Sequence, residues 1–169
     1  MNKETFCAFP FNTIFLGPDA GIKTCCTARD YIGNLNSSNI QEIVFGQKAK
    51  DIRASIIEGK WHPQCSQCYE LEAKGARTER LSTLKEYDNF KDATSDTFIL
   101  EQIDLRWSNV CNLACNYCYE YFSSKWANIK GIKVNDLNSL NQDLLIAFIK
   151  ENVYLDQLIG AVRNKPNRF

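Results

Sequence analysis

Three cysteines, Cys111, Cys115 and Cys118, fall within eight positions of "CNLACNYCYEY" (111–121), among asparagine and aromatic side chains. Three thiolates do something that four do not. A structural zinc site closes its tetrahedron with four protein ligands, whereas a four-iron, four-sulfur cluster held by three cysteines leaves one iron open to an exogenous ligand. Five more cysteines, Cys7, Cys25, Cys26, Cys65 and Cys68, come earlier in the chain, the last two as a Cys-x-x-Cys pair. Cys-x-x-Cys with two further thiolates serves zinc as well as an iron-sulfur cluster, so spacing alone leaves that metal open. Cys25 and Cys26 alternate across a strand, so only one of them faces such a site.

Compartment bears on how eight cysteines are read. "FCAFPFNTIFLG" (6–17) is apolar enough to pass for an export signal, but Glu4 precedes it, Pro10, Asn12 and Thr13 interrupt it, and no small-residue cleavage pattern follows. It reads as a buried strand in a cytoplasmic protein, where clustered thiols bind metal more often than they form disulfides. A disulfide-bearing extracellular domain is a third reading, behind the two metal readings. The 20 Lys and Arg balance the 20 Asp and Glu. That zero net charge gives no pull toward nucleic acid or a membrane surface, and no apolar run reaches the roughly 18 residues of a membrane span.

The elements that must position these cysteines follow from pattern. "TIFLGPDAGIKTCC" (13–26) predicts two short strands around a Gly-Pro-Asp-Ala-Gly turn, which brings Cys25 back toward Cys7. Residues 37–60 predict a helix, with a capping box at Ser38 and Gln41, apolar Ile52, Ile56 and Ile57, and a stop at Gly59. Cys65 and Cys68 follow, leading a segment that begins helical and breaks near Gly75. "EQIDLRW" (101–107) alternates with Ile103, Leu105 and Trp107 on one face, predicting a strand that delivers the three-cysteine arc at its C-terminal end. "DLLIAFIKENV" (143–153) predicts an amphipathic helix. His62, the only histidine, reads as a loop residue beside Pro63. Arg77 and Arg80, able in principle to bind a substrate carboxylate, read as solvated or paired, and Trp107 and Trp126 as packing residues.

Written out, the arc is CxxxCxxC with aromatic Tyr117 before its last cysteine, and with the preceding strand it resembles the signature of the radical S-adenosylmethionine (radical SAM) superfamily. The resemblance implies that Cys111, Cys115 and Cys118 ligate three irons of a 4Fe-4S cluster and that SAM occupies the fourth. It also implies that the backbone at Tyr117 lies against the adenine, and that reductive cleavage of SAM yields a 5'-deoxyadenosyl radical. The early Cys-x-x-Pro, the turn into Cys-Cys, Gly33-Asn34-Leu35 and Cys65-x-x-Cys68 resemble the twitch or SPASM auxiliary-cluster region that accompanies many such enzymes. By that resemblance Cys7, Cys25, Cys65 and Cys68 hold a second iron-sulfur cluster, with Cys26 turned to the core. In the family glycine usually stands where Ala20 does, so a one-residue shift of register would exchange Cys25 for Cys26.

The expected fold is α+β passing into α/β: a small cysteine-rich module of hairpin and helices at 1–90, a polar linker at 91–100, and the opening β-α portion of a partial radical SAM barrel at 101–169. Only 51 residues follow Cys118, and the family's glycine-glycine-glutamate motif for SAM is not found among them. The expectation is a C-terminally truncated oxidoreductase, or one half of a split enzyme completed by a partner chain. It would act on a peptide or small molecule and draw electrons from a flavodoxin or ferredoxin. A non-catalytic module with zinc or a cluster in a structural role is the alternative.

Overall fold

The computed structural model describes residues 1–106 and 108–132. A four-stranded open mixed sheet is ordered β3-β2-β1-β4, with β1 Thr13–Leu16, β2 Gly21–Lys23, β3 Gly33–Asn34 and β4 Gln102–Leu105. The expected hairpin is present: β1 and β2 pair antiparallel around the 17–20 turn, with Phe15 opposite Lys23. Gly17 accepts the Ala20 N–H, and Ala20 takes φ +62°, the left-handed region where the glycine common in the resembled family would sit without strain.

The apolar stretch at 6–17 is not one strand. Pro10 at the first turn starts the helical turn α1 (Phe9–Asn12), where its fixed φ and missing N–H cost nothing, and the strand begins only at Thr13. The helix expected over 37–60 is two helices, α2 (Ile40–Val44) and α3 (Gln47–Ile57), parted at Gly46. The capping box is also one residue later than expected. Asn39 accepts the Glu42 N–H at 2.9 Å and Glu42 returns the bond at 3.2 Å, whereas the Ser38 N–H is taken by the Asn34 carbonyl. Gly59 ends the helix with φ +73°, as expected. After the 3-10 turn Pro63–Cys65 come α4 (Ser66–Glu72), the left-handed Gly75, α5 (Glu79–Ser82) and α6 (Tyr87–Phe90).

Phe6, Phe11, Ile14, Leu16, Ile22, Ile52 and Ile56 are fully buried between the sheet and these helices. Buried at their centre is Arg53, which donates to the carbonyls of Ser95, Pro10 and Val44 at 2.6, 3.3 and 2.7 Å and so closes backbone groups that the short helices leave open.

β4 pairs parallel with β1, Ile14 opposite Ile103 and Phe15 opposite Asp104. The stretch expected as a linker leads onto this pairing: Ile99 and Glu101 donate to the Phe11 and Asn12 carbonyls at 2.9 and 2.8 Å, and Leu100 is buried. One sheet therefore carries both cysteine groups. Of the alternating face, Ile103 is half-buried and Leu105 exposed; Trp107 and the expected 143–153 helix lie outside the described residues. Past the three-cysteine loop, α7 (Ser124–Lys130) is capped by the Ser123 hydroxyl, which accepts from Trp126, and closes on left-handed Gly131. Among the described residues no helix is long and apolar enough to cross a membrane.

Candidate metal centre

Cys7, Cys25, Cys65 and Cys68 line one cavity, together with Phe9, Pro10, Thr24, Thr27 and Arg80. Each sulfur arrives at the end of a short element. Cys7 lies just before α1, Cys25 two residues past β2, Cys65 at the close of the 3-10 turn, and Cys68 in the first turn of α4. The His62 imidazole Nδ1 caps that turn by accepting the Gln64 N–H at 3.2 Å, and the His62 carbonyl accepts the Cys65 N–H at 2.9 Å. The Arg29 N–H then bonds the Gln64 carbonyl at 3.2 Å, fastening the Cys65 segment to the chain just after Cys25.

Cys26 does not share this cavity. It is exposed, not turned to the core, and its charged neighbours are Asp104 on β4 and Arg106 just past it. Both cysteines lie past β2, in a turn where the Ala28 N–H returns to the Cys25 carbonyl at 3.3 Å, and not on the strand from which alternation was expected.

Cys7 is buried, and Cys25, Cys65 and Cys68 are half-buried. Burial pushes the Cys7 thiol well above its ordinary range, and the neighbouring sulfurs of Cys25 and Cys65 push it further. Burial also raises Cys25 and takes Cys65 up to about 12. Such thiols keep their protons until a metal displaces them, which makes loading a proton-releasing step. N–H groups are aimed at the sulfurs: Phe9 toward Cys7, and Thr27 and Ala28 toward Cys25. The Thr27 hydroxyl lies 3.4 Å from Cys25 Sγ and 3.8 Å from Cys68 Sγ, bridging two of the four. Donors in this second layer orient sulfur ligands and tune their metal.

The second group sits on the loop after β4, as expected. Cys111 is clamped to α7, its N–H donating to the Ser124 hydroxyl at 3.0 Å and its carbonyl accepting the Lys125 N–H at 3.1 Å. The Trp126 indole N–H donates to the Cys115 carbonyl at 2.9 Å, and the Cys118 N–H to the same carbonyl at 3.0 Å. Trp126, expected as a packing residue, is thus also a brace for the loop. The Leu113 N–H points at Cys111 Sγ (3.4 Å). Tyr117 is 92% exposed, with its hydroxyl bonded to Cys115. Val110, Leu113 and Tyr119 are exposed beside it.

Among the described residues no three His, Cys, Asp or Glu side chains converge on a single-ion site. All eight cysteines are free. His62 is a turn cap, and Arg80 is buried and paired with Glu72, while Arg77 is exposed. The Thr27 bridge and the Arg80–Glu72 pair carried no spacing signal. No curated protein and no solved structure matches the chain. Residues 7–69 match the family model described as SPASM, iron-sulfur cluster-binding domain, and all four cavity cysteines lie inside that range, so this segment is similar to the iron-sulfur cluster-binding domains of that type.

Proposed function

We propose that the chain combines a SPASM-type auxiliary-cluster module with the opening portion of a radical SAM domain. In this reading Cys7, Cys25, Cys65 and Cys68 hold one 4Fe-4S cluster, and Cys111, Cys115 and Cys118 hold another that leaves an iron for SAM. The observation that carries it is the single cavity shared by four cysteines drawn from three separated stretches of the matched segment. Its support for the second group is coarser: a strand, then a braced CxxxCxxC loop, on the same sheet. Such clusters supply one-electron chemistry, and the open one supplies the electron that cleaves the sulfonium of SAM.

The chain's own residues do the rest. The thiols release their protons to solvent as irons bind, Thr27 and the Phe9, Thr27 and Ala28 N–H groups stabilise the thiolates, and burial shields Cys7 from water. At the second loop the backbone at Tyr117, an exposed residue, lies against the adenine of SAM. The substrate is a peptide or small molecule, the electron donor a flavodoxin or ferredoxin, the site of action the cytoplasm, and a partner chain completes the barrel.

Anaerobic reconstitution tests the reading. It should give a brown protein absorbing near 400 nm with roughly eight irons, the sum of two four-iron clusters. With SAM and a strong reductant, 5'-deoxyadenosine should form when the barrel is completed. A colourless protein with stoichiometric zinc would establish the structural-module alternative instead.

A further inference from the structure

We propose that the buried Arg80–Glu72 pair sets the reduction potential of the cluster seated among Cys7, Cys25, Cys65 and Cys68, acting as a fixed dipole with its positive end toward the sulfurs. The inference rests on the cluster reading above and deepens it. Arg80 lines the cavity and Glu72 does not. The Arg80 side chain is 6% exposed and that of Glu72 15%, so the pair is shielded from water and salt.

The guanidinium has no freedom to swing away. Its Nε donates to Glu72 Oε1 and Oε2 at 3.0 and 3.1 Å, Nη2 donates to Glu72 Oε2, and Nη1 donates to the Phe6 carbonyl at 2.8 Å, one residue before Cys7. Its face lies 5.4 Å from the Tyr69 ring centroid, and the Tyr69 hydroxyl is itself held by the Thr5 carbonyl at 3.2 Å. Glu72 is fixed as firmly, by Arg80 and by the Thr78 hydroxyl. Both charges persist at neutral pH. Burial alone would lower the Arg80 pKa, but the carboxylate outweighs it; burial alone would raise Glu72, but Arg80 and Thr78 outweigh that.

The sign of the effect follows from charge. A four-thiolate cluster is anionic, and its one-electron reduction adds a further negative charge, with the electron taken from the external reductant. A buried cation lining the cavity favours the reduced form, and a carboxylate outside that lining opposes it by less. Removing Arg80 therefore leaves an unbalanced anion and lowers the potential, while removing the charge of Glu72 unmasks the cation and raises it. A salt bridge with a purely structural role predicts no such opposition.

The test is a redox titration, followed by electron paramagnetic resonance, on the full chain carrying C111A, C115A and C118A so that only one cluster titrates. Parent, R80Q, R80K and E72Q are reconstituted anaerobically and matched for iron content. The expected result is a midpoint lowered in R80Q, raised in E72Q and near the parent in R80K. Equal midpoints, or shifts of the same sign in R80Q and E72Q, overturn the inference while leaving the cluster reading intact. Should R80Q fail to take iron, E72Q decides alone, an upward shift supporting the inference and an unchanged midpoint overturning it. A parent that binds no iron overturns the cluster reading and this inference together.

Discussion

The hydroxyls of Tyr31 and Tyr121 lie 2.9 Å apart, joining the hairpin module to the three-cysteine loop across 90 residues of chain. Tyr121 also donates to Asp19 Oδ2 at 3.3 Å, in the turn of the hairpin, so the 120–122 turn is anchored from two sides. With the β1–β4 pairing, this contact fixes where the second cysteine group stands relative to the first. A part-buried hydroxyl pair of this kind is worth on the order of 1 kcal/mol. Y31F and Y121F should each destabilise by about that much in urea unfolding, and the double variant by clearly less than the sum. Strict additivity would mean that the two hydroxyls do not act on each other.

Gly21 enforces that arrangement. A Cβ built there would meet the Tyr31 ring at 2.5 Å, so G21A must push the ring aside. Overpacking of this sort costs about 1–3 kcal/mol. Amide hydrogen exchange in 118–124 should rise in G21A although the substitution lies a hundred residues away in sequence. Protection unchanged from wild type would show that the Tyr31 ring is not the strut.

How much of this could be read from sequence differs by element. The hairpin, the Gly59 and Gly75 breaks and the placement of Cys111 after a strand follow from local chemistry, where turn residues and alternation decide the outcome alone. The helical turn at Phe9–Asn12 was hidden because its apolar residues are buried on every side, which erases the difference between strand and helix periodicity. The parallel β1–β4 pairing was hidden for another reason: it joins segments almost 90 residues apart, and nothing in "KDATSDTF" marks that it runs along the core. Likewise the four cavity cysteines were legible as a set, whereas the orientation of Cys26 is set by the turn that follows β2, where strand alternation no longer applies.

That last point is open to direct measurement. C7A, C25A, C65A and C68A should each abolish the first cluster and halve the iron bound, while C26A should retain full loading. C111A, C115A and C118A should remove the other half. Loss of iron in C26A with retention in C25A would reverse the assignment of the vicinal pair.

Arg53 is 1% exposed and satisfies three carbonyls from separate segments. Burial lowers its pKa to about 10, which leaves it cationic across the physiological range. Lysine keeps the charge but not the planar fork, so R53K should leave at least one carbonyl unpaired and cost about 1–3 kcal/mol for each one lost. A urea midpoint equal to wild type would mean that the fork is dispensable.

His62 gives a pH dependence with a defined sign. Burial lowers its pKa below the ordinary 6.5, against a smaller opposing pull from Asp51. Its Nδ1 must be unprotonated to accept the Gln64 N–H that shapes the turn delivering Cys65. The unfolded chain thus takes up a proton before the folded one does. The folded state keeps its full advantage above about pH 6.5 and loses part of it as pH falls toward the lower folded pKa. Because the chain has one histidine, the imidazole carbon-bound proton resonances report this residue without ambiguity. They should titrate with a midpoint below 6.5, and thermal stability should fall between pH 7 and pH 5.5, as estimated from the ordinary histidine range. In H62N, which keeps an acceptor near the turn without a proton to gain, the fall should be shallower. A midpoint at or above 6.5 would mean that the imidazole is not held neutral over the Gln64 N–H, and the cap would not be what positions Cys65.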